Sequence, residues 1–328
     1  MKKSLKLLDI KRVSKSAAHC AFTDLIENPF DKSRKTLMCC YRQATNHVSA
    51  DGVLVVSTID KASFQIRHRV IIRESNADLR DPKFSHDGSR LMLTSYAKTY
   101  LDNGKMVTKM MTYFTTTGLS WSGANRHGKS GWWLWNHTWH NSDAYGFAYN
   151  RPSNTLSLYK GDPTRAMQLH KAEAFSLDKH KKGYPNESTL LFNSNGDAFA
   201  FLRRDADTFS AQFGTSKPPY TKWSWHDLGI YIGGPAAVAL GESLYIVAGR
   251  HVDWDSRQFT TKIWLFDSVT KTLTELNTLP SNGDTSYPGL VIENDTLYMS
   301  YYSCHIDNQA RVYMACFSGV NALTTKTA

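Results

Sequence analysis

Short apolar segments separated by polar turns recur along the whole chain. Each first segment is followed by a second one rich in aromatic and β-branched residues, and no long window shows the 3.6-residue period of a helix. Several of the intervening turns carry residues that favour hairpins, for example Asn195-Gly196-Asp197. The pattern predicts antiparallel strands throughout and an all-β fold.

The segments also form a repeat. The first strands are predicted to begin 48 to 60 residues apart, near Ala21, Asp81, Trp133, Pro185, Gly233 and Ser286. A period of this length built from short strands is typical of propeller blades. We therefore predict one six-bladed β-propeller over residues 1–328, with the N-terminal segment pairing with the last blade to close the ring.

The second strands align on one position. The residues at this position are, in chain order, Arg42, Tyr96, Tyr149, Arg203, Arg250 and Tyr302. Equivalent positions of a propeller converge on one end of its central channel, where three arginines would favour an anionic ligand because like charges repel in a dry site. The alternative is that each arginine pairs with a local carboxylate such as Asp205 or Asp253.

The composition limits the classes of partner that the protein can be expected to bind. The formal net charge is +10, which favours anionic partners, but acidic residues are interleaved with the basic ones and no nucleic-acid motif is present. The five cysteines have no metal-ligand spacing, so we expect free thiols, no metal and no cofactor. Without a signal peptide or an apolar stretch of membrane length, the expected location is the cytoplasm.

Four segments carry a resemblance to a known family. RDPKFSHDG, YPNESTLLF with FLRR, GGPAAVALG with AGR, and DTSYPGLV with SYYS resemble the sialidase superfamily, in particular its bacterial BNR-repeat members, over nearly the whole chain. The resemblance implies a site at the channel mouth with a tyrosine nucleophile, a glutamate partner, an acid/base aspartate and three arginines for a substrate carboxylate. Matched by position, these residues are Tyr287, Glu187, Arg203, Arg250 and, as an additional arginine, Arg42.

The first blade departs from the family pattern. The segment AFTDLI lacks the first of the three family arginines, and the loop after Arg42 offers His47 where the acid/base aspartate would lie. Asp81 remains as a carboxylate near a first strand. We therefore expect a carbohydrate-type pocket with altered chemistry, in which His47, His140 or Asp81 donates the proton.

Propeller-fold ulvan lyases are a second, partial resemblance. They use His, Tyr and Arg to neutralise a uronate and remove its C5 proton, and the segment His137–His140 with Arg203 resembles parts of such a site. Trp139 belongs to a tryptophan-rich segment that could stack on sugar rings or pack between blades. Tyr149 and Tyr302 are predicted to complete the binding pocket.

Three functions follow from these residues. The first is a sialidase-like glycoside hydrolase acting on an acidic oligosaccharide or polysaccharide. The second is a lyase that cleaves a uronate-containing glycan by β-elimination and needs no acid/base aspartate. The third is a propeller that binds glycans without turnover, because a fold does not determine a function.

Overall fold

The computed structural model describes residues 3–15 and 17–324. In this part of the chain, 25 strands form six antiparallel sheets, and two short helices lie outside them, α1 (Leu177–His180) and α2 (Val320–Thr324). The innermost strands contact one another in chain order, and the innermost strand of the last sheet returns to that of the first. The molecule is a six-bladed β-propeller, as the sequence predicts.

Blades 1 to 3 follow the N-terminal strand β1 (Lys6–Arg12). Blade 1 consists of β2 (His19–Glu27), β3 (Thr36–Ala44), β4 (Val53–Asp60) and β5 (Ile66–Ile72). Blade 2 consists of β6 (Ala77–His86), β7 (Leu91–Tyr100), β8 (Met106–Thr115) and β9 (Asn125–His127). Blade 3 has an interrupted inner strand and consists of β10 (Trp133–Leu134), β11 (Thr138–His140), β12 (Asp143–Asn150), β13 (Thr155–Asp162) and β14 (Ala166–Ser176).

Blades 4 to 6 complete the ring. Blade 4 consists of β15 (Pro185–Phe192), β16 (Ala198–Arg204), β17 (Gln212–Ser216) and β18 (Ser224–Asp227). Blade 5 consists of β19 (Gly233–Ala239), β20 (Leu244–Asp253), β21 (Gln258–Asp267) and β22 (Thr272–Leu279). Blade 6 consists of β23 (Ser286–Glu293), β24 (Thr296–Ser303) and β25 (Arg311–Ser318), with β1 as its outermost strand.

The N-terminal strand closes the ring. β1 pairs antiparallel with β25, from Lys6 opposite Ser318 to Arg12 opposite Tyr313. The first and last parts of the chain thus share blade 6, which leaves no break between blades 6 and 1 and covers an edge that would otherwise expose unpaired backbone groups. This confirms the closure expected from the sequence.

Hydrophobic side chains fill the spaces between neighbouring blades. Between blades 4 and 5, for instance, Phe201 and Phe213 pack against Tyr245 and Phe266. The second strand of a blade is covered on both faces, which explains why these strands are nearly continuous apolar runs rather than alternating ones. This burial makes the propeller a rigid frame for residues at the ends of its strands.

The strands that the sequence does not predict lie mainly at the rim. β22 is an example: its residues are mostly exposed or half-buried, so its sequence has little hydrophobic pattern to detect. The same holds for other outermost strands, such as β18. In residues 3–15 and 17–324, no helix is long and apolar enough to cross a membrane.

Candidate active site

A repeated backbone feature builds the site. In five of the six blades the inner strand contains one more residue than its partner at an equivalent place, a β-bulge between Ala21 and Asp24, Arg80 and Lys83, Pro185 and Ser188, Gly233 and Ala236, and Ser286 and Gly289. In blade 3 the inner strand is interrupted instead. A bulge bends its strand and redirects side chains. Here the bulges direct residues of several blades toward one end of the channel.

The bulge residues include most of the candidate chemistry. Phe22 (φ 60°), Asp81 (φ 47°) and Tyr287 (φ 49°) adopt left-handed backbone conformations, which are costly for residues other than glycine. Their equivalent in blade 5 is Gly234 (φ 56°), where an added Cβ would lie 2.9 Å from ring atoms of Tyr287. Glycine is therefore needed there for the close approach of the tyrosine ring, and it also avoids the cost of the left-handed conformation.

Tyr287, Glu187 and Arg203 form a compact hydrogen-bonded triangle. The Tyr287 hydroxyl donates to Glu187 Oε1 at 2.6 Å and accepts from Arg203 Nη1 at 2.8 Å. Arg203 Nη1 also contacts Glu187 Oε2 at 2.7 Å, and the same oxygen accepts from the backbone N–H of Gly234 at 2.8 Å. The carboxylate is thus held in one orientation by groups from three blades. Tyr287 and Glu187, which are predicted from separate motifs, are brought together by the fold.

The environment keeps the tyrosine protonated. Burial raises the pKa of Tyr287 well above its usual value; Arg203 and Arg250 oppose the rise, and the Glu187 carboxylate adds to it. A free phenolate is therefore unfavourable in the resting protein. The hydroxyl can act as a nucleophile only if its proton moves to Glu187 as it attacks.

Asp81 lies in the same charged cluster and behaves as a weak acid. Only 5% of Asp81 is exposed, and burial raises its pKa from 3.8 to about 6; the Arg80 guanidinium opposes this rise and the Glu187 carboxylate adds to it. A carboxyl group with a pKa near 6 can donate a proton close to neutral pH. Asp81 is thus suited to protonating a leaving group.

Arg80 is a residue of the site that sequence analysis misses. Its Nε lies 3.8 Å from Asp81 Oδ2 and has no hydrogen-bond partner, while its Nη1 donates to Asp78 and to the backbone carbonyl of His47. The available signal was its place directly before Asp81 in the RDPK segment. The predicted strand began at Asp81, whereas β6 begins at Ala77.

Arg250 belongs to a second hydrogen-bonded group. Its Nη2 contacts Asp284 Oδ1 at 2.5 Å and the Tyr302 hydroxyl at 3.0 Å, and that hydroxyl donates to the same carboxylate at 2.8 Å. Burial would raise the pKa of Asp284, but the hydrogen bond from His47 and the charge of Arg250 outweigh it and lower this pKa to about 2. The local partner of Arg250 is therefore Asp284. Asp253, the other carboxylate considered as an arginine partner, instead accepts hydrogen bonds from the backbone N–H groups of Asp255 and Ser256 in its own turn.

His47 lies at the mouth of the channel. Its side chain is half exposed, and its Nδ1 is 2.8 Å from Asp284 Oδ2. The His47 ring also lies against Phe22 and His19, with ring centres 5.2 and 5.6 Å apart. The structure thus places His47 beside the Arg250 group, and its role as a proton donor stays a prediction.

Arg42 does not reach the channel mouth. It is fully buried, its Nε donates to Asp78 Oδ1 at 2.8 Å, and its terminal nitrogens donate to the carbonyls of Asn46 and Ser49. These contacts hold the loop that carries His47. The expectation that Arg42 binds substrate does not agree with this position, because a ligand would have to displace a buried ion pair.

His140 and Trp139 also lie away from Tyr287. His140 stacks on Phe192, the last residue of β15, at a ring distance of 4.4 Å. Glu187 is five residues earlier on that strand, about 16 Å away at the rise of a β-strand. Trp139 is next to His140 on β11 and packs among partly buried rings between blades 2 and 3. Trp139 therefore packs between blades, which is the alternative to stacking on a sugar ring.

Tyr149 forms part of an aromatic wall near the site. Its ring stacks on Trp133 at 5.8 Å, and Trp133 stacks on Tyr96 at 3.9 Å. Trp135 continues from this wall to Tyr287, with ring centres 5.8 Å apart. These rings make the blade 3 side of the site apolar, whereas blades 4 and 5 contribute charged side chains.

The only group of three potential metal ligands found among the described residues is His19, His47 and Asp284. Their ligand atoms lie within 4.8 Å of one another. Burial, with His47 and Arg42, lowers the pKa of His19 to about 4, so its ring is neutral. The Asp284 carboxylate, however, is already shared among Arg250, Tyr302 and His47. The arginine charges here disfavour a cation, so these residues fit a metal poorly.

A cleft of about 610 Å³ adjoins Arg203 at the junction of blades 4 and 5. Tyr231 links the two: its ring lies 5.5 Å from the Arg203 guanidinium, and its hydroxyl donates to Asp205 at 3.2 Å. Trp254, which is half exposed, lines the same cleft. Tyr287 and Glu187 do not line this cleft, and Tyr231 is its connection to the charged groups of the site.

Solved structures of low sequence identity share this architecture. A Dyadobacter fermentans protein described as of unknown function matches with a TM-score of 0.80 at 16% identity, over 96% of this chain and 99% of that one. A Trypanosoma rangeli sialidase in complex with sialic acid matches with a TM-score of 0.66 at 10% identity, over 98% of this chain and 58% of that one. An α-L-arabinofuranosidase from Fusarium graminearum in complex with an iminosugar inhibitor gives 0.65 at 10% identity, over 96% and 98%.

Sequence comparisons identify no relatives. No protein-family model matches the chain, and no curated protein matches it. These three structures are at most 16% identical to the chain, which establishes the fold and leaves the activity open. The chain therefore shares its six-bladed propeller fold with a sialidase and an α-L-arabinofuranosidase, and the predicted fold is confirmed.

Proposed function

We propose that this protein is a retaining glycoside hydrolase with Tyr287 as nucleophile and Glu187 as its base. The observation that carries the proposal is the buried triangle of Tyr287, Glu187 and Arg203, in which the hydroxyl lies 2.6 Å from a carboxylate oxygen. Hydrogen-bond contact between a nucleophile and an oriented base is the usual arrangement for covalent catalysis. A sialidase and an arabinofuranosidase among the neighbours of similar fold support a carbohydrate substrate.

The first step transfers the sugar to the enzyme. Tyr287 Oη bonds to the anomeric carbon while its proton moves to Glu187, and the bond to the leaving oxygen breaks as protonated Asp81 donates a proton to that oxygen. In the second step, water attacks the anomeric carbon and gives a proton to the Asp81 carboxylate. The phenolate leaves and recovers its proton from Glu187.

Arg203 stabilises the charge that this cycle creates. Its Nη1 donates to Tyr287 Oη at 2.8 Å, so it can hold the phenolate that departs in the second step. Because Asp81 must be protonated in the first step, and burial raises its pKa to about 6, we expect the rate of that step to fall as pH rises through 6.

The test combines turnover with trapping. A panel of aryl glycosides is screened for released phenol, and a 2-fluoro glycoside of the best sugar is used to trap the intermediate for mass spectrometry. Tyr287→Phe is expected to reduce kcat by about 10³-fold or more, the scale for loss of a covalent nucleophile. Tyr313→Phe is the matched control, because Tyr313 is a buried tyrosine of the same blade whose hydroxyl has no hydrogen-bond partner.

Three results would contradict the proposal. These are full turnover by Tyr287→Phe, an adduct on a peptide without Tyr287, and glycan binding with no turnover of any glycoside. New ultraviolet absorbance from a C4–C5 double bond would assign the protein to the lyases instead. The expected result is a sugar adduct on Tyr287 in the wild type and none in Tyr287→Phe.

A further inference from the structure

The charged groups around Tyr287 are nearly balanced before any ligand binds. Six cations are interleaved with six carboxylates, a formal balance of 6 − 6 = 0; they are Arg42, Arg80, Arg203, Arg250, Lys83 and Lys98 with Asp24, Asp78, Asp81, Glu187, Asp205 and Asp284. With Asp81 protonated as the acid, the balance is +1. The net charge of +10 of the whole chain therefore arises outside this site.

The arginines nearest to Tyr287 already have carboxylate partners. Asp205 accepts from Arg203 at two points, Nε at 3.0 Å and Nη2 at 2.9 Å, in the bidentate geometry that a bound carboxylate would use. Arg250 contacts Asp284 at 2.5 Å and donates its Nε to the backbone carbonyl of Thr285. A carboxylate on a ligand would have to displace one of these partners.

The surface opposite Arg203 and Arg250 is largely apolar. Phe22 packs edge-on against the Tyr287 ring at 5.2 Å, and the Arg80 guanidinium lies 5.4 Å from the Phe22 ring. Phe22 thus occupies the bulge position of blade 1 with a hydrocarbon face and no donor. The cation on this side is Arg80, whose Nε has no hydrogen-bond partner and lies 3.8 Å from Asp81 Oδ2, so a ligand carboxylate there would lie next to another carboxyl group.

We infer that the sugar bound beside Tyr287 is uncharged. Asp205 and Asp284 are the partly exposed members of the two ion pairs, with 21% and 28% of their side chains accessible. Carboxylate oxygens accept hydrogen bonds from hydroxyl groups, so these two residues can orient the hydroxyls of a neutral sugar while remaining paired with the arginines. This substrate class rests on the proposed function and replaces the acidic glycan expected from the sequence.

The experiment compares matched sugars on matched variants. Binding of methyl glucoside, methyl glucuronoside and a methyl sialoside is measured by calorimetry at pH 7 for the wild type and for Asp205→Asn. Asn186 and Tyr231 donate to different oxygens of Asp205, so asparagine keeps an acceptor for one of them and removes the charge, which leaves Arg203 able to bind a ligand carboxylate. We expect the acidic sugars to bind the variant about tenfold or more tightly than the wild type, for removal of one nearby like charge. Asp284→Asn repeats the test on the Arg250 pair.

The outcomes separate this inference from the proposed function. It is supported if the acidic sugars gain affinity on removal of either carboxylate. It is overturned if the wild type binds or cleaves the acidic sugars in preference to the neutral one and neither variant improves their binding. The second result would leave the Tyr287 adduct intact, because trapping of Tyr287 depends on the nucleophile and not on the charge of the sugar. Failure to trap Tyr287 contradicts the proposed function whatever the affinities are.

Discussion

Replacing Asp81 with asparagine should stabilise the protein at high pH while removing the proton donor. Asp81 has a raised pKa of about 6 in the folded protein, against a usual value of 3.8. A group of this kind contributes stability that is fully present below its unfolded pKa and is lost as pH rises through its folded pKa. The wild type therefore loses folding free energy between pH 4 and pH 8, and Asp81→Asn does not.

The size of the effect follows from the shift. About two pKa units at 1.36 kcal/mol each correspond to about 3 kcal/mol at pH 8, and the same linkage leaves less than about 1 kcal/mol at pH 4. Asparagine is suited to this position because its short polar side chain tolerates the left-handed conformation that Asp81 adopts, with φ of 47°. The substitution should therefore add little backbone strain.

Urea unfolding followed by tryptophan fluorescence at pH 4, 6 and 8 measures the difference. Asp81→Asn should unfold at increasingly higher urea concentration than the wild type as pH rises, and its turnover should be lost across the range. Asp102→Asn, which removes an exposed carboxylate from a turn, is the control for the loss of one acidic group. A difference that is the same at pH 4 and pH 8, or destabilisation at pH 8, would refute the account of Asp81 as a buried, weakly acidic carboxyl group.

Two further substitutions test how the site is held. Gly234→Ala should reduce kcat by about 10- to 100-fold, because the new Cβ would lie 2.9 Å from the Tyr287 ring and would displace the ring on the ångström scale. Steady-state kinetics on a glycoside substrate measure this change in kcat. Gly241→Ala is the control and should leave kcat unchanged, because the space around Gly241 is open. Equal rates for both variants would argue against a constrained Tyr287. Arg42→Met should destabilise the fold by about 3–5 kcal/mol, because it leaves Asp78 buried with one partner fewer. Urea unfolding measures the free energy of unfolding of this variant. The control is Arg165→Met, which removes a mostly exposed arginine. Equal losses of unfolding free energy in the two variants would contradict a buried ion pair at Arg42.

The blades were predictable because their signal is local. Turn residues between apolar segments determine where hairpins form, and six repeats of this unit can bury their faces only against one another. The segments PNESTLLF, GGPAAVAL and SYPGLVI correspond closely to β15, β19 and β23. The motifs around Glu187 and Tyr287 are equally local, which is why both residues could be predicted as site residues although they are 100 positions apart.

Ion pairing around the site was much less predictable. Arg42 and Arg250 pair with the residue directly before the bulge of their blades, but in blade 4 Arg204 takes this place and Arg203 lies one residue earlier, so the alignment predicted from the sequence was wrong by one residue there. Arg42 is buried on Asp78, while Arg203 and Arg250 border the channel. Arg80 lies directly before the bulge residue Asp81, and Asp284 is the first residue of the DTSYPGLV motif that contains Tyr287, yet neither position indicated an ion pair. A periodic alignment assigns the position of a residue within a blade and cannot assign its partner in the next blade.

The sequence by itself determined the architecture and the ring closure, and it predicted the tyrosine and glutamate that the fold brings into contact. Only the tertiary structure decided that His140 and Trp139 lie away from the nucleophile candidate and that carboxylates of the protein already neutralise the arginines. The physical reason is that strand periodicity depends on neighbours along the chain, whereas charge balance depends on groups from different blades that folding brings within a few ångströms.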